Sequence, residues 1–195
     1  MDEISIQSEA LVPTAYGEFR MLAFAMSNEE KMPHMAIVSP FLNSEEPVLL
    51  RIHSECMTGD VFQSSKCDCG EQLDVSLKEV SEKNGLVIYL RQEGRGIGLI
   101  EKLKAYKLQQ NGLDTVDANL ALGHQADSRD YTDAISILQY LNISKVNLMT
   151  NNPLKLDYLR SHGIEVNQRV PIILPMKEEN VGYFETKRNR MGHLF

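Results

Sequence analysis

Residues 86–98 read Leu-Val-Ile-Tyr-Leu-Arg-Gln-Glu-Gly-Arg-Gly-Ile-Gly, and this stretch decides the fold. Its first five residues form a continuous apolar run, which is typical of a buried strand. A glycine-rich loop follows, after which Leu99, Leu103 and Tyr106 recur at helical spacing as far as Asn111-Gly112. A buried strand that leads through a glycine loop into a helix is the basic unit of an α/β protein.

The same alternation extends to both sides of this unit. Apolar runs predict further strands, and apolar residues at helical spacing predict the helices between them. The pattern therefore predicts an α/β fold, layered α/β/α around a mixed sheet, with a ligand site at the strand ends. We expect one domain over residues 1–195, in which about 175–195 form a basic C-terminal tail or helix. The predicted strands are 19–26, 35–38, 48–54, 86–90, 146–149 and 164–170, and the predicted helices contain 73–80, 99–111, 131–141 and 153–162.

Composition limits the class of protein. The 195 residues are 43% hydrophobic and 24% charged, with a formal net charge of −7. That balance excludes a disordered chain, and no run of 18 apolar residues is present to cross a membrane. An acidic chain is also poorly suited to general nucleic-acid binding. The N-terminus is acidic and lacks the apolar stretch of a secretory signal, so we expect a soluble, cytoplasmic domain without membrane or nucleic-acid partners.

Three cysteines, Cys56, Cys67 and Cys69, lie within 14 residues of one another. Cys67 and Cys69 are too close in sequence for an unstrained disulfide, whereas clustered thiolates suit zinc. A catalytic zinc keeps three protein ligands and one position for water. His53 leaves an alternative open, because it is near enough in sequence to close a structural site of three cysteines and one histidine.

Polar or basic segments follow three of the predicted strands, at 51–55, 91–98 and 150–155. Open α/β sheets bind ligands beyond the carboxyl ends of their strands. The glycine loop does not match the dinucleotide pattern, because Leu99 occupies the position of its third glycine. Basic residues and a helix that starts at Pro153 favour a phosphorylated small molecule instead. Asp127 and Arg129 alternate on a further polar segment, so both can face one site.

Five segments together resemble GTP cyclohydrolase II: residues 51–60, 67–70, 91–95 and 150–153, and the C-terminal Lys187 with 191–193. The resemblance runs from about Leu11 to His193. It implies an enzyme that opens the imidazole ring of GTP in the first step of riboflavin biosynthesis. Formate and pyrophosphate would leave, giving 2,5-diamino-6-(5-phosphoribosylamino)pyrimidin-4(3H)-one. The resemblance further implies zinc, Mg2+, a homodimer and the stand-alone form of the family.

The resemblance also assigns roles to individual residues. Cys56, Cys67 and Cys69 would bind zinc, and Asp127 would be the proton acceptor. Arg129 corresponds to a residue proposed to attack the α-phosphorus, and Tyr106 to a tyrosine beside C8 that accompanies complete deformylation. The residues expected to contact GTP are Arg51, Ile52, His53, Ser54, Glu55, Gln72, Glu93, Gly94, Arg95, Thr115, Thr150 and Lys155.

Several chemical alternatives stay open at this point. Three thiolates donate negative charge to zinc, so the ion lowers the pKa of a bound water less. A neighbouring base is therefore expected, either Asp127 or Glu55. A guanidinium stays protonated, which favours Arg129 as a phosphate clamp over Arg129 as a nucleophile. His53-Ser54-Glu55 fits part of the motif of zinc-dependent nucleobase deaminases, although the spacing of Cys67 and Cys69 does not. A non-catalytic, zinc-stabilised nucleotide-binding module is the other alternative.

Overall fold

The structure, a computed structural model, describes residues 3–125 and 128–175, together with residues 188, 190, 192 and 194. This part of the chain contains seven strands and six helices, and a short 3-10 turn spans Glu93–Gly96. The α/β class predicted from the sequence is therefore confirmed. The strands are β1 (Ser5–Thr14), β2 (Gly17–Ala25), β3 (His34–Val38), β4 (Val48–Ser54), β5 (Gly85–Leu90), β6 (Lys145–Met149) and β7 (Glu165–Val170); the helices are α1 (Met57–Asp60), α2 (Cys69–Ser81), α3 (Gly98–Gln110), α4 (Thr115–Ala121), α5 (Thr132–Tyr140) and α6 (Pro153–Ser161).

All seven strands join one sheet in the order β1-β2-β3-β5-β4-β6-β7. Strands β1, β2, β3 and β5 pair antiparallel in succession, whereas β4, β6 and β7 pair parallel. The sheet is thus mixed, as predicted. In the register of β4 and β6, Leu50 lies opposite Leu148, so the carboxyl ends of these two strands are neighbours. Among the helices described, none has both the length and the hydropathy needed to cross a bilayer.

The central strands β4 and β5 are buried on both faces, β5 with apolar side chains and β4 with a mixture of apolar residues and the buried polar Arg51 and His53. In β5 five of the six residues are buried, and in β4 only Ser54 is not. Two helices pack their apolar residues into the same core, with Ile137 and Leu138 from α5 and Leu159 from α6. The sheet and this core hold the carboxyl ends of β4 and β6 in place.

Helix α6 begins as the sequence predicts. Pro153 is its first residue, where the missing amide hydrogen costs nothing. Asn152 caps the helix, since its side chain accepts a hydrogen bond from the Leu154 amide at 3.0 Å. The turn between β6 and α6 is thereby held at the end of a parallel strand.

Besides the single turn of α1, two elements were not predicted from the sequence. β1 lies at the edge of the sheet, and most of its residues are exposed, so it lacks the apolar pattern that marks a half-buried strand. α4 is only seven residues long, although Asp114 gives it a capped start by accepting from the Asp117 amide. Both elements are too weakly periodic for a pattern argument.

The chain divides into two compact units. The first comprises the described residues of Met1–His53, Leu73–Arg91 and Tyr131–Ile172, and it contains the hydrophobic core described above. The second comprises the described residues of Ser54–Gln72, Gln92–Asp130 and Ile173–Phe195, and it contains all three cysteines. A single domain over residues 1–195 stays a prediction.

Candidate functional site

The three cysteines of the second unit come together as one group. Their sulfur atoms all lie within 4.8 Å of one another, and the Sγ atoms of Cys56 and Cys67 are 3.6 Å apart. Cys56 and Cys67 are buried, and Cys69 is half-buried at the start of α2. Among the described residues, this is the group of side chains able to hold a metal ion.

Local backbone structure holds the first of these sulfurs in place. The Cys56 amide donates to Asp60 Oδ2 at 2.9 Å, while the Cys56 carbonyl accepts from the amides of Gly59 and Asp60. Gly59 has no space for a side chain, because an added Cβ would lie 3.0 Å from Cys67 Sγ and 3.2 Å from Cys56 Sγ. The single turn of α1 therefore holds the Cys56 sulfur close to that of Cys67.

Gly70 is required for a related reason. A Cβ at this position would lie 2.3 Å from the carbonyl oxygen of Gly59. Because the clashing atom belongs to the backbone, no side-chain movement can relieve the clash. The start of α2 thus packs directly on the backbone of the α1 turn. Cys69, which precedes Gly70, is brought beside the other two cysteines by this approach.

The sulfur positions fit zinc. Tetrahedral zinc with Zn–S bonds of about 2.3 Å would separate its thiolate ligands by about 3.8 Å. The 3.6 Å distance between Cys56 and Cys67 agrees with this value. Three thiolates also form a donor set that prefers zinc to hard cations such as Mg2+. Cys56, Cys67 and Cys69 are therefore suited to hold the ion as three ligands.

Proton affinities in the cluster point in the same direction. Hydrogen bonds from Cys67 and Cys69, together with the nearby Lys102 ammonium, lower the pKa of Cys56 well below the value of a free thiol. The hydrogen bond to Cys56, together with burial, raises the pKa of Cys67 to about 11, and the pKa of Cys69 is also raised. One sulfur is thus readily ionised, and a dication supplies the charge that ionising the other two requires.

A buried ion pair lies beside the cluster. Lys102 Nζ is 3.1 Å from Cys56 Sγ and 2.8 Å from Glu93 Oε1. Glu93 accepts two further hydrogen bonds, from the Met57 amide on Oε2 and from the Gly94 amide on Oε1, both at 2.6 Å. Burial alone would lower the pKa of Lys102, but the charge of Cys56 and the contacts with Tyr106 and Glu93 raise it. Lys102 is therefore a fixed positive charge.

Tyr106 belongs to the same cluster. Thr58 hydrogen-bonds its hydroxyl, and the ammonium groups of Lys66 and Lys102 lie 5.4 and 5.7 Å from the ring centroid. Burial raises the pKa of Tyr106 to about 12, so the phenol carries its proton at neutral pH. The second unit thus places a hydroxyl donor next to the turn that carries Cys56.

In the first unit, the carboxyl ends of β4 and β6 are basic. Arg51 is buried and donates to the Met149 carbonyl at 3.1 Å, and Lys155 is buried and donates to the Ile52 carbonyl at 2.8 Å. The Lys155 ammonium also lies 5.2 Å from the ring centroid of Tyr131. Thr150 follows β6, and its hydroxyl accepts from the Asn152 amide at 3.0 Å. Two buried cations at neighbouring strand ends are a setting for an anion.

His53 is also part of the first unit. It is buried, and its ring stacks on that of Tyr89 with the centroids 5.5 Å apart and the planes inclined by 21°. Its neighbour in β4, Ile52, is fully buried in the core. The metal-binding group found among the described residues consists of the three cysteines, and His53 as a fourth ligand stays an untested alternative.

The remaining predicted residues lie in the second unit. Gln72 donates to Asp68 Oδ2 at 2.5 Å, and Thr115 is the first residue of α4. Gly94 and Arg95 both adopt a φ of 63°, a left-handed conformation that is unfavourable for arginine. The Arg95 carbonyl accepts from the Ser128 amide at 3.2 Å, so the glycine loop is joined to the segment that carries the half-buried Arg129. Ser54 is half-buried and Glu55 is buried.

Some of the predicted residues lie outside the part of the chain that the structure describes. Asp127 is one of them, as are Lys187, Met191 and His193. Most of the predicted C-terminal tail or helix at 175–195 is likewise outside it.

Lys102 was not predicted from the sequence as a site residue, although a signal for it exists. Lys102 and Tyr106 are four residues apart, and residues at this spacing share one face of a helix. The apolar residues that marked α3 are less informative, since Leu103 is 51% exposed whereas Lys102 is buried. A lysine inside a helix is ordinarily read as a solvated residue, and only its neighbours reveal otherwise.

Comparison with known proteins agrees with this geometry. Residues 5–171 match the family model for GTP cyclohydrolase II. The chain is 49% identical over 193 residues to the GTP cyclohydrolase-2 of Picrophilus torridus, covering 98% of this chain and 100% of that protein. It is 51% identical over 187 residues to the riboflavin biosynthesis protein RibBA of Chlorobium phaeovibrioides, covering 95% of this chain and 45% of that protein.

The chain spans about half the length of several of the curated relatives that it matches, including RibBA of Parabacteroides distasonis, of which it covers 46% at 48% identity. A solved structure, RibBX from A. baumannii, a two-domain 3,4-dihydroxy-2-butanone 4-phosphate synthase, aligns over 89% of this chain and 41% of that one. That alignment has 18% sequence identity and a TM-score of 0.49.

Proposed function

The chain belongs to the GTP cyclohydrolase II family, and from that membership we propose that it is a zinc-dependent hydrolase that opens the imidazole ring of GTP. The products would be formate, pyrophosphate and 2,5-diamino-6-(5-phosphoribosylamino)pyrimidin-4(3H)-one, the first intermediate on the way to riboflavin. The observation that carries the proposal is the group of three cysteine sulfurs within 4.8 Å of one another. A three-thiolate donor set suits a zinc ion that keeps one position for another ligand.

The ring-opening step needs a Lewis acid to activate water, a base and a proton donor. Zinc held by Cys56, Cys67 and Cys69 would supply Lewis acidity toward water. Tyr106 supports the step as a donor, since its phenol is protonated at neutral pH and hydrogen-bonded through Thr58 to the same turn. We assign the role of proton acceptor to Asp127, with Glu55 as the second candidate, because a carboxylate can act as the general base of this step.

The phosphates of the nucleotide need cations. Buried Arg51 and Lys155 at the strand ends support a site for negative charge, and Arg95 and Arg129 supply guanidinium groups that can bind phosphate oxygens in pairs. We propose Mg2+ as the additional charge that pyrophosphate needs on departure. The other proposed contacts to GTP are Ile52, His53, Ser54, Glu55, Gln72, Glu93, Gly94, Thr115 and Thr150.

The proposed working form is a homodimer in the cytoplasm. Large apolar side chains of the second unit support an interface between subunits: Phe62 is 72% exposed and Ile100 is 73% exposed. Aromatic side chains such as Phe62 are enriched where one protein surface covers another.

Incubation of the purified chain with GTP, zinc and Mg2+ tests the function. We expect formate and pyrophosphate to appear together with the absorbance of the pyrimidine product. Asp127→Asn should abolish formate release, and an unchanged rate in this variant would assign the base to Glu55.

Two outcomes would replace the proposal. Release of ammonia without formate would indicate a nucleobase deaminase. Failure to hydrolyse GTP by a zinc-loaded protein that unfolds on chelation would indicate a binding module.

Arg129 has a separate test. A guanidinium that clamps phosphate leaves no covalent mark, and we expect mass spectrometry during turnover to find only unmodified Arg129. An Arg129 joined through nitrogen to the α-phosphorus of the nucleotide, with pyrophosphate released, would instead make this residue a nucleophile if this nucleotidyl adduct forms as fast as the overall reaction.

A further inference from the structure

We propose that Lys102 is a positioning residue of the metal site, whose ammonium group donates a hydrogen bond to Cys56 and so limits the negative charge that the three thiolates give to the metal. This inference rests on the zinc site of the proposed function. It concerns a residue that the proposed ligand set does not include.

The need for such a group follows from the charges. Three thiolates and a zinc ion together carry one net negative charge, and Cys56 and Cys67 are buried. The more electron density the sulfurs donate, the weaker the Lewis acid becomes. A positive hydrogen-bond donor on one sulfur offsets both effects, because it withdraws charge from that ligand.

The structure contains such a donor at the required distance. Lys102 Nζ is 3.1 Å from Cys56 Sγ, which is within hydrogen-bonding range for sulfur, and the residue is only 9% exposed. A lysine is rarely buried to this extent unless its charge has a partner. Here the partners are a thiolate and a carboxylate.

Glu93 holds the ammonium in this position. The same carboxylate accepts from Lys102 at 2.8 Å and from the Met57 amide at 2.6 Å, and Met57 directly follows the ligand Cys56. The Gly94 amide, at 2.6 Å, fixes the carboxylate in turn. Three donors therefore hydrogen-bond to Glu93. Through this one carboxylate, the Met57 amide next to Cys56 and the Lys102 ammonium that contacts Cys56 are held together. Both carboxylate oxygens of Glu93 are thus occupied, Oε1 by Lys102 and Gly94 and Oε2 by Met57.

The test compares Lys102→Met with Lys104→Met. Methionine keeps most of the length of lysine without its charge or its donor. Lys104 is on the same helix, but its side chain is 58% exposed and pairs with Glu101 at 2.7 Å, so it is a matched control. The two measurements are the zinc dissociation constant, by competition with a chromophoric chelator, and the sulfur-to-metal charge-transfer band of the cobalt-substituted protein.

We expect Lys102→Met to weaken zinc binding by about 10- to 100-fold, the usual effect of losing a group that hydrogen-bonds a ligand. The charge-transfer band should move to longer wavelength, because a sulfur without its hydrogen bond gives up an electron more easily. Lys104→Met should change neither quantity. A purely structural role of Lys102 would weaken zinc binding without moving the band.

Two results would overturn the inference: a band at the wild-type wavelength in Lys102→Met, or an unchanged zinc dissociation constant. If circular dichroism shows that Lys102→Met does not fold, Glu93→Gln replaces it. That variant keeps the lysine but loses the charge that holds it, so a smaller shift in the same direction is expected, and no shift contradicts the inference. If the wild-type chain binds neither zinc nor cobalt, the proposed function fails as well; if it binds both and the variants behave like it, only this inference fails.

Discussion

Gly59 illustrates how much a single residue decides in this site. It lies in the turn between two ligands, and a Cβ there would approach the sulfurs of Cys67 and Cys56 to 3.0 and 3.2 Å. These distances are too short for an unstrained contact, and sulfurs bound to a metal cannot retreat from it. Gly59 is therefore required for the space that it leaves.

We predict that Gly59→Ala lowers zinc affinity at least about 10-fold, because its methyl group displaces two ligands. Competition with a chelator measures the change. Gly163→Asn is the control, since nothing lies within 4 Å of an added Cβ there and asparagine tolerates the positive φ of 81°. Zinc affinity in Gly59→Ala equal to that of the wild type would show that the added methyl group does not displace the metal-binding sulfurs.

At the scale of elements, α4 depends on its first turn. Asp114 accepts from the Asp117 amide at 2.8 Å, and Arg190 forms ion pairs with both Asp114 and Asp117. Burial by itself would raise the pKa of Asp114, but the Asp117 amide and Arg190 outweigh it and hold this pKa below its usual value. Since Thr115 is the first residue of α4, the same contacts position a residue that we propose to contact GTP.

Asp114→Asn tests the charge separately from the cap, because asparagine caps helices as well as aspartate does. The folded-state pKa of Asp114 is lowered, so its charge stabilises the protein above the unfolded pKa of about 3.9 and ceases to do so as the pH falls through the folded value. We expect the variant to unfold at a lower urea concentration than the wild type at pH 7.

The difference between the two proteins should shrink as the pH falls below the unfolded pKa of about 3.9, and it should disappear below the folded-state pKa of Asp114, where both proteins carry a neutral side chain. Arg190→Gln should show a weaker form of the same dependence, since the Asp117 amide remains. A difference in unfolding midpoint that is the same at pH 7 and at pH 3 would rule out the charge as its source.

At the scale of the whole molecule, stability is divided between two kinds of interaction. The first unit contains a large apolar core formed by the central strands and by α5 and α6. The cysteine turns of the second unit are held mainly by hydrogen bonds within short loops, among them those of Gly59 and Asp60 to the Cys56 carbonyl. Short loops of this kind depend on a bound metal for order.

We predict that removing zinc with a chelator speeds amide hydrogen exchange at 54–72 by at least about 10-fold, while β5 and β6 keep their protection. Exchange measured by mass spectrometry resolves the two regions, and β5 is the internal control. Readdition of zinc should restore the original rates. Equal loss of protection across the chain would mean that the metal stabilises the whole protein.

The sequence determined the α/β class, most element positions, the cysteine cluster and the family, because apolar periodicity and local motifs are properties of neighbouring residues. It did not determine β1 or α4, whose residues lack a periodic pattern. Glu93 was predicted as a site residue, but its ion pair with Lys102 was decided only by the tertiary structure, which buries this pair against Cys56. A buried lysine and an exposed lysine have the same letter and the same local pattern; what differs is the set of groups that folding brings around it, and this depends on residues 46 positions away in the chain.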